Sequence, residues 1–479
     1  MEQLLSLLKT IPEYAAMVSS LQGGESVAVT GIGQINRSHM IAGLCRSLSR
    51  PMVVLCQDDL AARRLQEELK GFLSDTAPIL PGRDLTLYDA AVVSRSWEQK
   101  RLRQLYDLAA GKTGLQIMTW ESLSLRTMPK AALLSAAFSL EVGREYAVED
   151  LTARLTAAGY NRCGMVEGPG QFAVRGGILD IFSPAEDQPV RAEFFGDELD
   201  TMGFFDPATQ RRSENITSVT VLPVAETQPG LHPGGVEGLC KDISSLISRQ
   251  KRRKNINELL IATLEKDLNK YESGLHNPAS DRYMALIYPE FACAMDYVKP
   301  ETIVIFSDRM AVERTLDNHL DEISQGLDAL LQNGTLAGEL CDFYKNFDEL
   351  CNLCRHNCVI YMDNFLSAAF PESLPPQELL SVTVKQLPSY GGSLDTAVSD
   401  LAHYQSTGFG VLVLCGARHR AELLLESLEA RGLTAQLCFP LVSLPQPGQV
   451  LLTEGSLAFG MEYPSLKIAI LPEGQITSA

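Results

Sequence analysis

The sequence predicts a multidomain α/β protein. A degenerate, P-loop-like parallel sheet of the RecA kind carries a small inserted α+β module, and a further small α/β domain follows. Three observations point there. Short apolar runs alternate with amphipathic stretches at the start and end of the chain, while paired strands punctuated by glycine turns fill the middle. The 479 residues exceed what one core supports and suit roughly three or four domains.

Residues 1–125 place apolar runs at 26–30, 51–56 and 116–119 between amphipathic segments such as 58–72, the pattern of a doubly wound sheet. Residues 126–222 read as the α+β module. Strands at 171–175 and 178–182 flank Gly176-Gly177, and a strand at 191–195 runs into Gly196-Asp197. Both glycines of the first pair are expected to permit a turn with positive φ. Residues 223–380 open with a Pro/Gly-rich loop and continue as long polar helices. Their strands at 302–306 and 359–362 are expected to complete the first sheet. Residues 381–479 give a last strand-helix-strand unit, with strands at 410–415 and 449–453 around a helix at 417–430, and the start of a linker. The chain stops just after an apolar strand, without a terminal helix or charged tail, which suggests a piece cut from a longer protein.

Composition narrows the function. Hydrophobic residues make up 45% and charged residues 21%, as in a folded soluble protein. With 41 Lys+Arg against 59 Asp+Glu the formal charge is −18, so the overall field repels nucleic acid and any DNA contact must be local. The densest basic run, 249–254, falls in a predicted polar helix and reads as a solvated face, with nucleic-acid contact the weaker alternative. Eleven cysteines at irregular spacing, no amino-terminal apolar leader and no long apolar stretch predict a reduced cytoplasmic protein with no membrane span. Cys351, Cys354 and Cys358 with His356 are enough in principle for zinc or an iron–sulfur group. Their helical apolar spacing favours small buried hydrophobes and no metal.

The first strand runs into Gly31-Ile32-Gly33-Gln34-Ile35-Asn36-Arg37-Ser38, where a phosphate loop would sit. A working loop needs Gly-Lys-Ser/Thr, because the lysine holds the β and γ phosphates and the hydroxyl holds magnesium. Counted from Gly31, that slot holds Asn36-Arg37-Ser38; counted from Thr30-Gly31, it holds Gln34-Ile35. Neither register is competent. The candidate acidic strand at 302–306 ends in Ser307-Asp308-Arg309, where one carboxylate must do the work of two and Arg309 takes space a metal would want. No catalytic residue and no ATP or magnesium is expected in this chain.

The segments 170–184, 189–200 and 205–211 resemble domain 2 of UvrB and its counterpart in the bacterial transcription-repair coupling factors, the Mfd family. The likeness is strong at 80–125 and 160–226 and weak elsewhere. UvrB carries intact ATPase motifs and an aromatic-rich hairpin that threads damaged DNA. Here 81–94 passes directly to a helix at 97–108, leaving no room for that hairpin, so the chain is more similar to the coupling factors. The resemblance implies a non-catalytic adaptor that recruits UvrA to stalled RNA polymerase during nucleotide excision repair. Polymerase, DNA and ATP would be handled by domains beyond this chain. A UvrB-like damage-binding ATPase is the alternative.

The resemblance also places UvrA contacts at Arg162, Arg175, Arg191, Glu193 and Phe195. Arginine offers carboxylates a rigid fork and an aromatic ring supplies contact area. Residues 191, 193 and 195 alternate onto one strand face as a single stripe. Against this, Arg175 could pair with Asp180, and Phe195 could be core. Ala173 stands where UvrB has a second arginine, which implies weaker UvrA binding than UvrB shows.

Overall fold

The computed structural model describes residues 1–89, 95–367 and 369–477. Strands β1 (Val27–Thr30), β2 (Met52–Cys56) and β3 (Leu115–Thr119) come first. The middle of the chain contributes β4 (Phe138–Glu141), β5 (Asn161–Arg162), β6 (Gln171–Arg175), β7 (Ile178–Ile181), β8 (Val190–Phe195), β9 (Glu198–Phe205), β10 (Arg212–Asn215) and β11 (Ser218–Val221). Then follow β12 (Ile303–Ser307), β13 (Val359–Met362) and β14 (Glu378–Ser381). Last come β15 (Lys385–Gln386), β16 (Gly410–Cys415), β17 (Gln436–Leu437), β18 (Val450–Glu454), β19 (Met461–Tyr463) and β20 (Ile468–Pro472).

The first sheet has the order β14-β1-β13-β12-β2-β3, and each neighbouring pair is parallel. Its central strands are continuous apolar runs because both faces are covered. Alternate residues serve different cores. Ala28, Val53, Leu55, Val304, Phe306, Val359 and Tyr361 join one, beneath the helices Ser96–Ala110, Gly235–Lys251 and Glu258–Glu272. Val27, Val29, Met52, Val54, Ile303, Ile305 and Ile360 join the other, beneath Gln34–Ser47 and Asp59–Lys70. That second core continues into Leu412, Leu451, Met461, Tyr463, Ile468 and Ile470, so the last sheet packs directly against the first unit.

The middle module holds a sheet ordered β10-β9-β8-β7-β6-β5, antiparallel except for β5 with β6, and a separate β4–β11 pair. The last sheet, β15-β19-β20-β16-β18-β17, is parallel from β20 to β17 with β19 and β15 antiparallel at one edge.

Where the module returns to the first unit, a buried ion cluster fixes the junction. Arg83 Nε stands 2.6 Å from Glu226, and its two terminal nitrogens reach Asp281 at 3.1 and 2.9 Å. Glu98 accepts the Glu226 amide at 2.6 Å. Burial opposes charge on Arg83, but Asp281, Glu226 and Glu98 reverse this and hold its pKa above the ordinary value. Breaking such a cluster leaves buried charge uncompensated, so the exit of the module is anchored rather than hinged.

Two local expectations need correction. The Gly235–Lys251 helix ends inside the basic run 249–254, so residues 252–254 lie on an exposed turn; Lys251 at the helix end pairs with Glu265, and Arg253 on the turn pairs with Glu339. Of the two turn glycines, Gly176 has φ 59°, but Gly177 does not have positive φ. Gly177 is needed for room instead: a Cβ there would stand 2.8 Å from the Phe194 carbonyl oxygen, and the Phe194 amide donates to the Gly177 carbonyl at 2.7 Å.

Candidate functional site

The module's sheet has two unlike faces. Phe172, Leu179, Ile181, Val190, Ala192 and Met202 are buried against the Val148–Ala157 helix and the β4–β11 pair, together with the half-buried Val174 and Phe194. The alternate residues face the other way, and the register aligns them in rows. One row runs Ala173, Asp180, Arg191, Gly203; the next runs Arg175, Ile178, Glu193, Thr201. A bulge between β8 and β9 leaves the β8 alternation intact, so Arg191, Glu193 and Phe195 do share this face.

Asp180 organises the first row. Its side chain is 1% exposed and accepts Arg191 Nε at 2.7 Å and Nη2 at 2.9 Å, with Arg175 Nη2 at 2.6 Å. Arg191 also donates to the Gln210 carbonyl at 3.2 Å and covers the Phe205 ring at 4.4 Å. Its bond to the Asp180 carboxylate raises its pKa. Arg191 is thus pinned, with a side chain only 16% exposed, whereas the Arg175 side chain is 46% exposed and keeps free donors. Ala173 lies in a small core with Val166, Phe182 and Phe205, where a longer side chain would compete for Asp180.

In the second row Arg212 reaches Glu193 at 3.0 Å and Thr201 at 3.3 Å. Phe195 is 84% exposed, at the tip of the β8–β9 hairpin where Gly196 has φ 63°. A ring so placed contributes little to the packing of the sheet. The exposed Arg162 stands apart: on β5 it is in register with Phe172, whose ring lies on the covered face. Arg212 and Ile178 share the outward face and were missed in sequence, Ile178 because it reads as a core position of an apolar strand.

The second region lies between β1 and the Gln34–Ser47 helix. The loop is three residues long, and two of its three amides are engaged: Gly31 N–H donates to the Asn364 carbonyl at 3.2 Å and Ile32 N–H to the Asp363 carbonyl at 3.4 Å. Glu68, 2% exposed, accepts Gln34 Nε2 at 2.7 Å and the Ser38 hydroxyl. Burial raises its pKa against those two bonds and the Arg37 charge. Arg37 donates to Ser307 at 3.1 Å, and its pKa is lowered by burial and held up by Asp308 and Asp363. Asp308, at φ 67°, caps the following helix through the Ala311 amide. The Arg309 guanidinium bonds Glu313 at 2.7 Å and Ser367 at 2.6 Å, while its amide donates to Asp363 at 2.7 Å; burial raises the Asp363 pKa against that bond and the charges of Arg309 and Arg37. Gly33 ends the loop, with its Cβ position 3.5 Å from the side-chain amide oxygen of Asn36 in the first turn of the helix. Glu68 and Asp363 were missed in sequence. Glu68 sits on a separate helix, and Asp363 depends on β13 lying beside β1.

The cysteines do not converge. Cys351 and Cys354 belong to one core and Cys358 to the other, and His356 is exposed. Burial pushes the Cys351 thiol up to about 12, and Cys354 packs on Met295 with the sulfurs 3.8 Å apart. Among the described residues no group of His, Cys, Asp and Glu is spaced to hold a metal, and no helix is long and apolar enough to cross a membrane. The direct run from 81 into the following helix includes residues 90–94, which lie outside the described residues.

Comparison with known proteins bears on both regions. Residues 138–226 match the model of the UvrB interaction domain. The chain is similar to curated proteins named transcription-repair-coupling factor: that of Bacillus subtilis, 23% identical over 99% of this chain and 40% of the relative, and that of Staphylococcus haemolyticus, 23% identical over 95% and 38%. The Myxococcus xanthus protein of the same name is 32% identical over 44% of this chain and 18% of its own length. The chain thus spans about 40% of the length of the first of these relatives.

Proposed function

We propose that this chain, which carries a UvrB interaction domain and is related along nearly its whole length to transcription-repair-coupling factors, is a non-catalytic adaptor that recruits UvrA in transcription-coupled nucleotide excision repair. The observation that carries this is Phe195, exposed beside Arg175 and Glu193 on a face otherwise organised by internal ion pairs. Interface energy concentrates in aromatic and arginine anchors, and this face offers one of each on a rigid sheet. Engagement of RNA polymerase, and ATP-driven movement on DNA, we assign to parts of such proteins outside this chain. The work is done in the cytoplasm.

The residues divide by role. Phe195, Arg175 and the Glu193–Arg212 pair face the partner, Arg191 with Asp180 holds the surface in shape, and Arg162 contributes from the sheet edge. Titration calorimetry of UvrA with the purified chain tests this. Phe195→Ala is expected to weaken binding by about 2 kcal/mol, roughly thirtyfold, while changing stability by no more than about 0.5 kcal/mol. Wild-type affinity in a folded Phe195→Ala chain would remove the assigned surface.

A second reading, a UvrB-like damage-binding ATPase, has Asp363 in its favour, since this residue gives Asp308 the partner carboxylate that the sequence lacked. Against it stand the engaged loop amides and Glu68. DNA-stimulated ATP hydrolysis abolished by Asp308→Ala would establish that reading.

A further inference from the structure

The loop at 31–33 is not idle, because another part of the chain is seated on it. Strand β14 runs parallel to β1 from Val27↔Glu378 to Thr30↔Ser381, and the Val382 amide then donates to the Thr30 carbonyl at 3.0 Å. The Val382 carbonyl lies directly over Gly31, where a Cβ would stand 2.2 Å from that oxygen. Three residues later the same segment becomes β15, pairing Lys385↔Glu462 and Gln386↔Met461 on β19. A Gly33 Cβ would lie 4.0 Å from that of Gln386. One strap, 378–386, is therefore the edge of two sheets and crosses the loop between them.

Contacts on the adjoining helices continue the seat. His39 on the Gln34–Ser47 helix is fully buried, bonded to the Tyr463 hydroxyl at 2.6 Å and the Leu4 carbonyl at 2.7 Å, and stacked on Phe72 at 4.9 Å. At the end of the Asp59–Lys70 helix, a Cβ on Gly71 would stand 2.8 Å from the Ser456 carbonyl oxygen. Ile32, Ile35 and Val382 share one core with Met461, Tyr463, Ile468 and Ile470.

We infer that the loop Gly31–Gly33, with the helix it begins, is a latch that seats the last sheet on the first unit: the strap takes the loop's outer side, and Glu68 with Arg37 fills its inner side. Gly31 has φ 79°, and the Val382 carbonyl adds a second, steric demand for glycine there. This is independent of the UvrA reading, since the module at 138–226 contributes nothing to the latch.

Hydrogen exchange measured by mass spectrometry on the whole chain tests the latch. Gly31→Ala is expected to speed exchange at 381–387 and 461–463 at least tenfold, leaving 171–205 unchanged. Gly24→Ala is the control, because Gly24 also has positive φ, 85°, but a Cβ there meets nothing within 4 Å. Equal effects from the two substitutions, or no change at 381–387, would overturn the latch. If Gly31→Ala does not fold, Tyr463→Phe removes the hydroxyl bond to His39 and is expected to speed exchange at 461–463. No change there in that variant would overturn it equally. Magnesium–ATP that protects 31–38 in the wild-type chain would show a nucleotide site and end the proposal.

Discussion

The outer face of the middle module and the loop at 31–38 are built from the same materials, arginines set against carboxylates, yet they present opposite surfaces. On the module, Asp180 is buried beneath two arginines, and on the same face Phe195 stands exposed two residues beyond Glu193. At the loop, Arg37 and Glu68 are both buried on the inner side and the strap closes over the outer side. The difference lies in what is left outward: the module cluster keeps donors and a ring directed to solvent, as the proposed recognition surface requires, and the loop cluster does not. Buried among its own partners, the same chemistry serves packing.

Removing Asp180 should break this contrast most. Asp180→Ala strands Arg191 without its carboxylate in a largely buried setting, a loss of about 3 kcal/mol in a urea unfolding transition. Arg175→Ala, at a half-exposed pair, should cost no more than about 0.5 kcal/mol. Similar losses from the two variants would mean that Arg175 is as structural as Arg191.

The latch side should respond to acid. Burial depresses His39 from 6.5 to about 4, so folding favours its neutral form. That stability is complete above the unfolded pKa and is lost as pH falls from about 6.5 through about 4, on the order of 3 kcal/mol in total. Glu68 runs in the opposite sense, since its raised pKa favours the folded state at low pH. The difference between wild type and His39→Phe isolates the histidine: the variant should lose less stability across that window. Identical pH dependence would mean that His39 is not held neutral.

The smallest effect is expected where chemistry has been proposed absent. Asp308→Ala should leave the basal rate of ATP hydrolysis unchanged within error, whatever it does to the helix it caps.

The sequence reveals the elements better than their junctions. The strands at 27–30, 52–56, 303–307 and 359–362 are legible because a sheet covered on both faces selects unbroken apolar runs. Alternation at 191–195 likewise shows that Arg191, Glu193 and Phe195 share a face. What it does not show is which polar groups are satisfied internally. Asp180 holding both Arg175 and Arg191, Glu68 reaching Ser38 from another helix, and Asp363 beside β1 all depend on strand order and packing across the chain. Gly31 looks like a phosphate-loop glycine until the Val382 carbonyl above it is known.

Residues 138–226 are proposed to present a partner surface at Phe195 while the loop at 31–38 and the strap stay closed. Hydrogen exchange of the chain with and without saturating UvrA tests it most directly. The account predicts new protection at 175–178 and 193–198, with 31–38 and 381–387 unchanged. Protection absent from the module, or concentrated at the loop and strap, would contradict it.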